Sequence, residues 1–314
     1  MLNNFGGVMF KKILFLSLLI LLTFSVKSYA HPYSVRECYD HISAQAFKTA
    51  RSWGIRAVDK HPKSFYAHMC LGESDNYLSL YKPALYDFKQ AIPFANDKNR
   101  LMLVYNWLGL TFDSVGDEKD ALMYDFRSLK LARGLNNIYA ESGDINNIAE
   151  IYRNEGKYQK ALHYLEKSIT LHKTKKEKAI GYNNIAMVEV IIDNYPEAVK
   201  YETKALNLME SIGNYYGTAS FYLNLGAINI MDKNYTAAKK YIKKGLLMEK
   251  KVGNKDWIGR GYLYLGRLYR NKGNNIKALA YYEKAYSMFK ISDDDRLAHD
   301  SLFAINKIKT GFKK

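Results

Sequence analysis

Arg260, Arg267 and Arg270 lie within eleven residues, at spacings of seven and three. On a helix, residues three, four and seven apart share a face. The planar guanidinium fork matches carboxylate or phosphate, so the chemistry this trio offers is anion recognition, in a pocket or on a solvated basic face. Little else offers chemistry. The seven histidines, His31, His41, His61, His68, His163, His172 and His299, fall in no metal-binding spacing. The sequence holds no HExxH, GxSxG, phosphate-loop or GxGxxG pattern. Neighbouring acids such as Asp117 with Glu118, or Asp293 to Asp295, read as solvated turns and helix caps. The expectation is a binding protein, not an enzyme, with no catalytic residue, metal or cofactor.

The ends of the chain bear on where such binding would occur. Lys11 and Lys12 precede an apolar run from Ile13 to Phe24, and Ser28-Tyr29-Ala30 places small residues before a cleavage point. Residues 1–30 therefore read as a secretory signal peptide, with Met9 an alternative start. An uncleaved anchor is the other reading, although the run is short for the roughly 20 residues a span needs. No later segment is apolar enough to cross a membrane. An exported location, periplasmic or secreted, is expected. Cys38 and Cys70 are the only cysteines. In an exported chain they allow one disulfide, or two buried thiols.

The formal charge is +16. Residues 1–30 hold three lysines and no acid, which leaves +13 on the remainder. In an exported protein such charge suits an acidic partner, an anionic envelope polymer or lipid headgroups. Nucleic acid is not expected.

The elements that position the arginines show in GYLYLGRLYRNKGNNIKALAYYEKA, residues 261–285. Large rings alternate with Gly266, Ala278 and Ala285. Gly273 suits the left-handed end of one helix, and a second helix follows. The pattern recurs. Alanine fills the position of Ala278 at Ala50, Ala84, Ala121, Ala161, Ala198 and Ala238, spaced 34, 37, 40, 37 and 40 residues apart, with Ala278 a further 40 on. The position of Gly266 holds Cys38, Gly72, Gly109, Ala149, Ala186 and Gly226. That of Ala285 holds Ala57, Ala91, Ser128, Ser168, Ala205 and Gly245. Small residues at these positions let antiparallel helices approach, Gly266 against Ala278 and Ala285 against the next pair.

Tyr262-x2-Leu265-Gly266-x2-Tyr269 followed by Ala278-x3-Tyr282 resembles the tetratricopeptide repeat. The resemblance implies an all-α, right-handed α-solenoid of about seven helix pairs over residues 31–291. Residues 292–314 are expected to form a C-terminal capping helix and tail, begun by Ser292 and three aspartates.

In this family the first helix of each pair lines the concave groove. With Gly266 counted as position 8, position 6 holds Asn147, Asn184 and Asn224. The family's long members use such an asparagine ladder to grip an extended peptide, since an amide both donates and accepts. The alternative is that the asparagines bond neighbouring helices. Trp107 and Tyr264 occupy the same position before and after them, as apolar brackets. Arg260, Arg267 and Arg270 fall at positions 2, 9 and 12. The function expected is a non-enzymatic scaffold for a protein or peptide, the partner bearing an acidic group. Binding an anionic envelope polymer, or partnering a membrane regulator in sensing, is the alternative.

Overall fold

A computed structural model describes residues 31–311. Expectations for the signal segment and the last three residues lie outside them. The described chain holds fifteen α-helices and no strand. In chain order they are α1 Tyr33–Ser43, α2 Phe47–Lys60, α3 Phe65–Tyr77, α4 Tyr81–Ala91, α5 Lys98–Val115, α6 Glu118–Gly134, α7 Ile138–Asn154, α8 Tyr158–Leu171, α9 Lys175–Ile191, α10 Tyr195–Ser211, α11 Tyr215–Met231, α12 Tyr235–Val252, α13 Lys255–Asn271, α14 Asn275–Ile291 and α15 Asp295–Gly311. Two compact units divide after Asn147, within α7.

Local chemistry starts and stops these helices. Asp97, Asp117, Asn214, Asn234, Asn254 and Asn274 cap helix starts by accepting a backbone N–H three residues on, which satisfies a donor that the helix leaves orphaned. Thr174 and Glu177 form a reciprocal capping box at α9. Gly273 reverses the chain between α13 and α14 at φ +75°, where a side chain would be strained.

Within each unit, consecutive helices pack as antiparallel neighbours, and the periodic small residues explain how. Ala50, Ala84, Ala121, Ala161, Ala198, Ala238 and Ala278 are all fully buried. The glycine column meets a large side chain four residues beyond the partner alanine. A β-carbon on Gly266 would stand 2.6 Å from the Tyr282 ring, and one on Gly72 would stand 2.7 Å from Phe88. Ala278 is thus not the direct partner of Gly266; the groove that Gly266 leaves is filled by Tyr282. In the column of Ala285, Ala285 itself clusters with Leu297 and Ala298 of α15, and Ala205 with Phe221 and Leu225 of the next pair, while Gly245 lies closest to its own pair. At Gly245 an added β-carbon would meet Leu223 and the Ala219 carbonyl of α11, in its own pair and not the next one.

Tyrosines and cations form a second periodic pattern. In the second unit, Tyr182 and Tyr201 lie beneath Lys204, at 5.3 and 4.9 Å from its ammonium. Lys244 lies 4.1 Å from the Tyr222 ring, and Lys284 lies 5.8 and 5.6 Å from Tyr262 and Tyr281. In the first unit, Arg127 covers Tyr105 and Tyr124. Each contact shields a helix pair's aromatic seam and is worth about 0.5–1 kcal/mol where exposed.

At the start of the chain, Cys38 of α1 and Cys70 of α3 are joined in a disulfide with Cα atoms 6.3 Å apart. At the other end, α15 buries Leu297, Ala298, Ile305 and Ile308 in one cluster with Tyr282 and Phe289 of α14.

Candidate ligand-binding face of the first helices

The sequence places its candidate residues on α5, α7, α9, α11 and α13. Their partners are set by what the second helices present at the position of Tyr282. That column holds Phe88, Leu165, Ile242 and Tyr282, but also Asp125 and Glu202. Both acids are fully buried. A β-carbon on Gly109 would stand 2.1 Å from an Asp125 carboxylate oxygen, so the missing side chain makes room for that acid.

In the first unit, the Asn147 amide reaches the Asp125 carboxyl and draws its pKa down. Burial, with the charges of Asp144 and Asp113, outweighs that contact and holds the pKa well above the carboxylate range. The contact falls short of a full hydrogen bond, because both Asp125 oxygens lack one. Asn106 donates to Asp144 at 2.9 Å. Burial lifts Asp144 to about 7.

In the second unit, Asn224 donates its amide to Asn183 Oδ1 at 3.0 Å. It also lies beside Glu202, whose oxygens lack full hydrogen bonds and whose pKa burial lifts to about 8. Asn147 and Asn224 therefore both face polar groups of neighbouring helices. Asn184 differs. The second-helix residue of the preceding pair is Leu165, Asn184 is half-buried, and it makes no side-chain hydrogen bond among the described residues.

Trp107 corrects an expectation. It is 2% exposed, stacked on Phe88 with ring centroids 5.5 Å apart and set edge-on to Tyr77 at 5.8 Å. Large rings in adjacent columns fill each other's space, and no groove surface remains on it. Tyr264 is half-buried, with the Arg267 guanidinium 6.0 Å from its ring centroid.

The arginine trio shares a helix side, but Arg260 leaves it energetically. Its guanidinium is 17% exposed, 2.8 Å from Asp256 and 3.8 Å from Asp294. It also covers the Trp257 ring at 5.2 Å. The expected three-arginine pocket thus holds its own carboxylates at Arg260. Arg270 reaches the Tyr282 hydroxyl, and the charge of Arg267 acts on the same group. Burial still raises the Tyr282 pKa overall. Arg267 and Arg270 are half-buried. Of the sequence-read candidates in the second unit, Asn184, Tyr264, Arg267 and Arg270 all remain partly exposed. Among the described residues no group of His, Cys, Asp or Glu could hold a metal ion, and no helix is long and apolar enough to cross a membrane.

Stacked antiparallel helix pairs with small residues at their crossings define an all-α helical-repeat solenoid. The tetratricopeptide-repeat family model matches residues 141–211 and 217–291. These two stretches are tetratricopeptide repeats.

Among solved structures, the chain is similar in fold to the apo form of RapI, with 14% identity, a TM-score of 0.59 and coverage of 79% of this chain and 98% of that one. It is also similar to the C-terminal part of a repeat protein from Cytophaga hutchinsonii, at 18% identity, TM-score 0.57, and 85% and 99% coverage. A Rap protein complexed with Competence and Sporulation Factor gives 13% identity, TM-score 0.55, and 96% and 91% coverage. Among curated proteins no sequence matches.

Proposed function

We propose that this protein is a non-enzymatic, exported scaffold whose first helices hold an extended segment of a partner protein or peptide. The observation that carries the reading is the arrangement on α9 and α13. Asn184 keeps a donor and an acceptor out of the packing scheme, and Arg267 and Arg270 place two half-buried guanidinium forks on α13. An amide rung suits any peptide backbone. Paired guanidinia suit an acidic side chain or a chain terminus. A Rap protein of similar fold holds Competence and Sporulation Factor, which supports a protein-binding role for the architecture. The export signal read in residues 1–30 supports an envelope or extracellular site of action.

The test is capture of partners from the exported fraction, followed by mass spectrometry. It is run on the parent chain, on Asn184→Ala with Arg267→Gln and Arg270→Gln, and on a control with Lys200, Lys204 and Lys239 changed to glutamine. Loss confined to the first set supports the scaffold. Equal loss in both sets, steepening with salt, would favour the second reading, an anionic envelope polymer bound by general charge. The observation favouring that alternative is the row of Lys204, Lys244 and Lys284 above the tyrosine seam.

A further inference from the structure

A cavity of about 370 Å³ opens where α12, α13 and α14 converge, lined by Lys250, Lys255, Lys284, Tyr262, Ile258 and Met288 among others. It lies off the side of α13 that carries Arg260 and Tyr264. Tyr262 is two residues from each, about 200° around a helix. The ammonium groups of Lys250 and Lys284 lie 5.2 and 5.8 Å from the same Tyr262 ring. Lys255 opens α13, at the positive end of the helix. No carboxylate pairs with any of the three lysines among the described residues.

The preceding junction shows what is missing. The repeats there are 40 residues apart, so Lys284, Tyr262, Lys255 and Lys250 correspond to Lys244, Tyr222, Tyr215 and Glu210. At that junction Glu210 accepts a hydrogen bond from the Tyr222 hydroxyl and lies 3.6 Å from the Lys244 ammonium, which itself donates to that hydroxyl. The acid neutralises the lysine above the tyrosine. At the last junction the acid has become Lys250 and a third cation, Lys255, is added. The tyrosine and the second-helix lysine are kept while the charge is reversed.

We propose that this cavity is a binding site for a small oxoanion, carboxylate or phosphate, carried on an apolar body. The external anion would take the place that Glu210 fills one repeat earlier. Three lysines share the lining, so their like charges repel and an anion relieves that repulsion; Ile258, Met288 and the Tyr262 ring offer apolar surface to its body. A phosphate dianion matches three cations better than a carboxylate monoanion does.

The experiment titrates the purified chain with phenyl phosphate, benzoate and phenol by calorimetry at low salt. Parallel titrations use Lys250→Glu and the triple variant K250Q/K255Q/K284Q. Saturable binding of phenyl phosphate or benzoate, with phenol silent, is expected. The tighter of the two identifies the headgroup. The triple variant should weaken the better anion at least tenfold. Lys250→Glu should abolish binding and leave the melting temperature equal or higher, because it restores the internal acid of the preceding repeat. The melting temperature separates loss of site from loss of fold. No saturation with either anion, equal binding by phenol, or undiminished binding in the triple variant would overturn the proposal.

Discussion

Asn224 of α11 donates its side-chain amide to Asn183 of α9 at 3.0 Å, with the buried Glu202 of α10 on its other side. An asparagine at the peptide-gripping position thus ties together three helices of its own chain. Removing it leaves the buried Asn183 amide oxygen without its donor, which costs about 1–3 kcal/mol. Asn224→Ala should lower unfolding stability by that amount in urea denaturation. Asn184→Ala, which removes no internal hydrogen bond, should stay within about 0.5 kcal/mol of the parent. Equal losses for the two would refute this division of roles.

Buried carboxyls give the fold a defined pH response. Burial lifts Glu202 and Glu73 from 4.5 to about 8 and Asp144 from 3.8 to about 7. The folded chain keeps these protons where the unfolded chain has released them. Stability should therefore fall as pH rises from about 4.5 through about 8, and level off above. Glu202→Gln mimics the neutral acid. Relative to the parent it should gain stability steadily between pH 5 and pH 9. Denaturation curves at pH 5, 7 and 9 check this, and parallel pH profiles for the two proteins would contradict it.

The glycine at the helix crossing is required by the ring opposite. Gly266→Ala would place its β-carbon 2.6 Å from Tyr282, and overpacking of this kind costs about 1–3 kcal/mol. Adding Tyr282→Leu should recover part of the loss, because a smaller side chain vacates the groove. A double variant that simply sums the two single losses would show that the residues do not meet.

These positions also show what the sequence does and does not reveal. Columns of alanine and glycine at intervals of 34 to 40 residues report helix pairs directly, because close approach permits little else at a crossing. Periodicity shows which residues share a face, but not what stands opposite. Trp107 and Asn224 share position 6, and one fills the core against Phe88 while the other meets a carboxyl and an amide. The signal lay in another column, where Asp125 and Glu202 interrupt a series of large apolar side chains. Arg260 meets Asp256 one turn back and also Asp294, which the turn before α15 brings from 34 residues away. At the matching second-helix position before Asn184 stands Leu165, which has no polar group to offer.

The Cys38–Cys70 disulfide links α1 to α3 across a loop of about 30 residues. Closing such a loop contributes about 3–4 kcal/mol in the chain-entropy model. Replacing both cysteines with serine should cost that much, mainly in the first unit. Alkylation of denatured, unreduced protein should label neither thiol, and labelling of both would rule out the bond.

The scaffold account is tested most directly by photocrosslinking from a single site. A photoreactive amino acid is placed at Asn184 on the first-helix face, and separately at Lys239 on the second helix α12, and each protein is exposed to the exported fraction. Crosslinks from position 184 to one recurring protein segment, diminished by Arg267→Gln with Arg270→Gln and absent from position 239, are the predicted result. Crosslinks from position 239 alone, or from neither position, would contradict the claim that the first helices hold the ligand.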